Sequence, residues 1–213
     1  MSLTNDARFW DRSSRKYARG AIADLAGYAR TLEATRAWIG PDDRVLELGC
    51  GTGTTAFRLA GHVRSYLATD ISAGMIEIAR EKQDTELDIA GLAFHNATAE
   101  QMASQSTPRD AVLGFNYLHL VRDLPGTLDA IHTMLAKGGV FISKTPCLAD
   151  MNPFIRLALL PAMRALGKAP YVSAFSTTKL CRMIVDAGFE LLAVENHATK
   201  SDDHRPFIVA RKR

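Results

Sequence analysis

A single-domain α/β fold, with a doubly wound and mostly parallel sheet, is what this sequence predicts. Three observations carry the prediction. Short apolar runs alternate with amphipathic stretches along most of the 213 residues, as in a chain of β–α units. The apolar runs are nearly continuous, which suits strands buried on both faces. The first clear run, VLELG, passes straight into a glycine-rich turn, CGTG.

Residues 8–36 read as helical, with Phe9, Trp10, Tyr17, Ile22, Leu25 and Leu32 spread through a polar background. Gly40-Pro41 then punctuates the chain. VLELG is a strand, TTAFRLAGH a helix, SYLAT a strand, and SAGMIEIAREKQ a helix with Ser72 as its N-cap. LAFHNA and AVLGFNYLHL are strands, and LPGTLDAIHTMLA is a helix. GGVFIS is a strand after a Gly-Gly turn. TTKLCRMIVDAGF is a helix closed at Gly188. LLAVENH and PFIVARK form a final strand pair. Residues 147–175 exceed an ordinary connection and read as a helical insertion over the active-site face, a substrate cap.

The bulk numbers exclude several classes. The net charge of +3 gives no argument for a nucleic-acid partner. The N-terminus lacks the apolar core of a signal peptide. No run approaches the ~18 apolar residues of a membrane span. Three cysteines without metal spacing point to reduced thiols, a cytoplasmic setting and no metal site.

The residues 45–53, VLELGCGTG, hold the functional signal. The spacing is E-x-G-x-G-x-G. A dinucleotide site would need a glycine where Thr54 stands, and Glu47 would face its phosphates with a negative charge. A cationic ligand fits better. S-adenosylmethionine has a sulfonium and an amino group and no phosphate. Glu47 can offset that charge, and Gly49, Gly51 and Gly53 make room for the ligand. A second acid, Asp70, ends the next strand, where it can accept both ribose hydroxyls.

With these motifs the chain resembles the class I S-adenosylmethionine-dependent methyltransferases. VLELGCGTG and ATDIS resemble their first two motifs, and LAKGGVFIS their fifth-strand turn. FWDRSSRKYA resembles the opening of the quinone-biosynthesis members. The resemblance implies a Rossmann-like sheet of seven strands with an antiparallel last strand, N-terminal helices and S-adenosylhomocysteine as product. It also implies a cofactor site. Glu47, Gly49, Cys50, Gly51, Gly53 and Phe115 would line it, with Asp70 on the ribose, Ile71 and Met75 against the adenine, and Tyr17 over the methionine part. Thr98 and Ala99 would approach the adenine amino group, although relatives often carry Asp where Thr98 stands.

Methyl transfer needs positioning more than a base. His119 and Asn116, after the fourth strand, are the catalytic candidates, with His119 as a base toward the acceptor. A lone histidine is also readily a loop residue satisfied by its neighbours. Tyr117 is expected in the core, and Cys147 as a buried structural thiol. The insertion's Phe154, Ile155, Leu157, Leu159, Leu160, Met163 and Leu166 suit the apolar inner wall of a cap. Arg8, Arg12, Arg15, Lys16 and Arg19 read as a solvated helix face. The expected activity is methylation of a small, lipophilic molecule. A lipid substrate at a membrane surface and a non-catalytic cofactor-binding protein remain open.

Overall fold

The computed structural model describes residues 3–86, 89–105, 107–154, 157–158, 160–165, 167, 169–200 and 203–213. Seven strands form one sheet in the order β3-β2-β1-β4-β5-β7-β6. They are β1 (Arg44–Leu48), β2 (Ser65–Asp70), β3 (Leu92–Asn96), β4 (Arg109–Phe115), β5 (Leu135–Lys144), β6 (Phe189–Glu195) and β7 (Phe207–Lys212). The first five run parallel, and β7 is antiparallel to both β5 and β6. The expected fold and its reversed last strand are both present.

Side-chain alternation along buried strands splits the core into two layers. Leu46, Leu48 and Val112 face one layer, with helices α5 (Ala99–Ala103), α6 (Leu124–Met134) and α8 (Thr177–Asp186). Val45, Ala111 and Leu113 face the other, with α2 (Leu25–Arg36), α3 (Ala56–Leu59) and α4 (Ala73–Glu86). Ser72 caps α4 as expected, accepting the Met75 N–H at 3.1 Å. Gly188 takes a φ of 90° past the end of α8.

The structure corrects four boundaries. The single N-terminal helical stretch is two helices, α1 (Leu3–Ala18) and α2, because Asp24 caps α2 by accepting the Gly27 N–H at 2.8 Å. β4 stops at Phe115, since Asn116 adopts a φ of 51° and LHL forms a 3-10 turn. Gly138 and Gly139 fall inside β5, in an irregular stretch between the pairs Arg109↔Leu135 and Ala111↔Val140. Within the insertion, the regular α-helix among the described residues is the short α7 (Leu160–Ala165).

The insertion's ends are anchored. Cys147, Leu148 and Phe175 are buried, and Ala149 N–H donates to the Phe175 carbonyl at 3.1 Å. Phe154 and Leu157 are about two-thirds exposed and form no inner wall. Ile155, Leu159 and Leu166 lie outside the described residues.

Candidate active site

A cavity of about 540 Å³ opens at the C-terminal ends of the parallel strands. In a doubly wound sheet, ligands bind where the strand order reverses, here between β1 and β4. β1 supplies Leu48 and Gly49, β2 supplies Thr69 and Asp70, and β4 supplies Phe115 with Asn116 just after it.

The glycine loop is shaped from beneath by aromatic rings. Gly49 has a φ of 69°, and a Cβ there would come within 2.6 Å of the Tyr117 ring. Gly53, at φ 80°, would meet Phe94 and Phe57 at 2.9–3.0 Å. Gly53 therefore answers to core packing. It does not line the cavity, and neither do Cys50 and Glu47.

Asp70 does line it. Its carboxylate accepts the Gly51 N–H at 3.0 Å and the Ser72 N–H at 2.8 Å. Burial raises its pKa, while these backbone bonds oppose the rise. An Asp70→Ala exchange would thus disturb the loop as well as any ligand contact.

Glu47 is fully buried, and its Oε2 accepts the Tyr66 hydroxyl at 2.9 Å. Burial pushes its pKa up to about 7; the Tyr66 bond lowers it, and the neighbouring Asp70 charge raises it further. Neither acid has a basic partner among the described residues. The glycine loop is therefore an electronegative floor. It suits a sulfonium or ammonium ligand and opposes a pyrophosphate.

The cavity brings together Tyr17, Gly49, Gly51, Asp70, Ile71, Met75, Thr98, Ala99, Phe115, Asn116 and His119. Thr98 arrives with its hydroxyl engaged. It accepts the Gln101 N–H at 3.2 Å, and the Gln101 side chain accepts the Thr98 N–H at 2.9 Å. Tyr117 packs against the core and also lines the cavity, so its placement purely in the core was incomplete. From α1 come Leu3, Asp6, Trp10 and Tyr17. Asp6 forms a two-pronged pair with Arg122 at 2.6 and 2.8 Å. The Arg122 guanidinium lies 4.3 Å from the centre of the Tyr171 ring. Asp6, Arg122 and Tyr171 were not legible in the sequence, because separate segments contribute them and no motif marks them.

His119 is largely buried, which pulls its pKa down to about 4. Thr145 Oγ1 accepts the His119 backbone N–H at 3.2 Å and lies 2.9 Å from its Nδ1. Nδ1 is the acceptor within reach of the buried Thr145 hydroxyl proton among the described residues. That assigns the ring proton to Nε2. The ring is then neutral at pH 7 and offers a donor where the sequence suggested a base. The cysteine expectation stands: Cys147 is buried, and its thiol is pushed up to about 11.

Comparison with known proteins agrees with this fold. A family model described as a methyltransferase domain matches residues 15–194. The mitochondrial arginine-hydroxylase NDUFAF5 of Danio rerio is 30% identical over 155 residues, covering 70% of this chain and 46% of its own. The tRNA 5-carboxymethoxyuridine methyltransferase of Escherichia coli K12 is 29% identical over 141 residues, covering 62% and 54%. The chain thus spans about half the length of these curated relatives. The magnesium protoporphyrin IX methyltransferase of Synechocystis PCC 6803, crystallised with S-adenosylhomocysteine, shares the fold with a TM-score of 0.72. It does so at 17% identity over 98% of this chain and 95% of its own.

The burial of Glu47 has a measurable consequence. Its carboxyl titrates near 4.5 when exposed and near 7 in the fold. Between these values the native state holds the extra proton, so stability falls as pH rises from about 4.5 to about 7 and levels off above. The full effect is about 3 kcal/mol. Glu47→Gln should remove this decline, gaining stability over the wild type at pH 8 but little at pH 4.5. Urea melts at the two pH values check this, and parallel pH slopes for both proteins would contradict it.

Proposed function

Because the chain belongs to the class I S-adenosylmethionine-dependent methyltransferases, we propose that it moves a methyl group from S-adenosylmethionine to a small, lipophilic molecule. The observation that carries this reading is a pair of acids without basic partners among the described residues, the buried Glu47 and the half-buried Asp70, at a glycine loop beside a cavity of about 540 Å³. The residues present fit the cofactor. Asp70 would accept the ribose hydroxyls with the lone pairs that its backbone bonds leave free. Ile71 and Met75 would flank the adenine. Ala99 would meet the adenine edge through its backbone, and Thr98 through its hydroxyl proton, because the α5 cap uses that oxygen only as an acceptor and already engages the Thr98 N–H. Gly49, Gly51 and Phe115 would border the methionine and ribose parts, with Tyr17 above them. Glu47 would act through its field, from under the loop, while Cys50 and Gly53 would shape that loop.

Bound S-adenosylmethionine supplies an activated methyl group, so the protein must add orientation and exclusion of water. Asn116 and His119 would orient the acceptor as hydrogen-bond donors. The quinone-type opening FWDRSSRKYA supports a small acceptor. The exposed Phe154 and Leu157 favour a second reading, a lipid acceptor reached at a membrane surface. Among the described residues no helix is long and apolar enough to cross a membrane.

Segments 1–40 and 147–175 would serve as lid and cap of the single domain. Asp6 on α1, Arg122 after β4 and Tyr171 in the insertion meet at one point on the cavity rim. This arrangement would let lid and cap close together over bound ligands.

Calorimetry should show binding of S-adenosylmethionine and S-adenosylhomocysteine and none of NAD. An acceptor panel of phenols, quinols, small acids, phospholipid vesicles and tRNA, read by release of S-adenosylhomocysteine, should respond to a small apolar member. Turnover of tRNA or vesicles alone would overturn the small-molecule reading, and cofactor binding without turnover of any acceptor would mark a non-catalytic protein. Hydrogen exchange tests the lid. Residues 8–20 should become better protected when S-adenosylhomocysteine is added, and Arg122→Ala should diminish that gain. Equal protection in both states would make α1 a fixed helix.

A further inference from the structure

A second cavity, of about 340 Å³, lies on the far side of Phe115 and Asn116. These two residues and Arg205 line both cavities and form the partition between them. Asn116 holds its place there at a φ of 51°, with its N–H donated to the Lys144 carbonyl at 2.7 Å. A non-glycine residue in this region is uncommon, and such backbone collects at ligand sites.

The charges of this second cavity are unevenly matched. Asp24 is engaged, accepting the Gly27 N–H at 2.8 Å and the Thr199 N–H at 2.9 Å. Asp203 pairs with Arg205 at 3.2 Å. Lys144 is left with a neutral partner: its ammonium donates to Thr31 Oγ1 at 2.9 Å and pairs with no described carboxylate. It is half-buried, and burial, with the Arg205 and Arg30 charges, lowers its pKa, while Asp203 and Asp24, outside pairing distance, partly oppose the fall. Removing an ammonium from water is unfavourable unless a counter-charge is present. Lys144 closes β5, so it stands at the same C-terminal edge of the sheet as the cofactor floor. The two cavities therefore have opposite electrostatic characters, acidic at the glycine loop and basic at Lys144.

We propose that the methyl acceptor is an organic anion, its carboxylate or phosphate held by Lys144 in the second cavity while its apolar body reaches past Asn116 into the first. This rests on the methyl-transfer reading of the first cavity and narrows its acceptor class. Arg205, at the partition and bonded to Asp203, and Lys200 on the cavity wall add two further cations. The anionic group is an anchor and undergoes no bond change. The two chemical sources of such a group, a carboxylic acid and a phosphate monoester, share this recognition.

The test is ligand-observed NMR followed by calorimetry on the full chain, with and without S-adenosylhomocysteine. The probes are aromatic and aliphatic carboxylates and phosphate monoesters, each paired with its neutral amide or alcohol, and inorganic phosphate alone. One anionic series should bind at least about tenfold more tightly than its neutral partners, the scale of one hydrogen bond to a charged group. Lys144→Gln should abolish that preference and Lys144→Arg should keep most of it, both with unchanged affinity for S-adenosylhomocysteine. Equal binding of acids and neutral partners, or no binding by any of them, would overturn the proposal. So would a preference that survives Lys144→Gln. Inorganic phosphate binding as tightly as the esters would assign the cavity to the free ion and also overturn it. The wild-type comparison of acids with neutral partners needs no variant to fold. Read without S-adenosylhomocysteine, it stands even if the cofactor itself fails to bind, a result that would instead overturn the methyl-transfer reading.

Discussion

Asp70 is the joint on which the site is built. Its side chain ties the glycine loop after β1 to the start of α4 through the Gly51 and Ser72 N–H groups. Its carbonyl accepts the Ala97 N–H at 3.1 Å and the Asn96 side-chain amide at 2.8 Å, which fastens the end of β3. The α1 helix joins at the same place: Asp11 accepts the Ser72 hydroxyl at 2.7 Å and the Gly74 N–H at 3.0 Å. Three strand ends and the N-terminal helix are thus held relative to one half-buried residue. Hydrogen bonds to a charged group are worth more than neutral ones, and leaving one unmade in a buried place costs more still. The loop therefore needs little reorganisation to present its backbone to a ligand.

Electrostatics then sorts the ligands. The Asp70 charge raises the cost of ionising Glu47, Asp11 does the same to Asp70, and no basic side chain among the described residues pairs with Glu47 or Asp70. A cation beside the loop would relieve both. Across the Phe115–Asn116 partition the sign reverses at Lys144. His119, neutral at pH 7 and with its Nδ1 turned to Thr145, joins the donors between these poles.

Much of this was legible in the sequence because the signals are local. A strand, an acid, three spaced glycines and a second acid at the next strand end are read from spacing alone, and so is the Ser72 cap. The sequence was less informative where tertiary contacts decide. It showed that Gly53 lacks a side chain but not that the Phe57–Phe94 pair requires this. It placed Glu47 at the loop but not beneath it, on the Tyr66 hydroxyl. AVLGFNYLHL reads as one apolar run, yet the strand ends at Phe115, because Asn116 turns the backbone toward the cavity edge. The insertion's apolar residues suggested an inner wall, whereas Pro170 and Tyr171 are what that segment sends to the cavity among the described residues. Lys144 carried no motif at all. Its meaning comes from half-burial beside Thr31 with no carboxylate at pairing distance among the described residues.

The central claim is that the Asp70 carboxylate, already fixed by the backbone, accepts the ribose of the cofactor. Substituting Asp70 would disturb the loop too, so the cleaner probe leaves the protein untouched. Calorimetric titration with S-adenosylhomocysteine and with its 2′-deoxy and 3′-deoxy analogues is the direct measurement. The account predicts that removing either hydroxyl weakens binding by about 1.5–3 kcal/mol, the range for a hydrogen bond to a charged group. Equal affinities for all three compounds would contradict it.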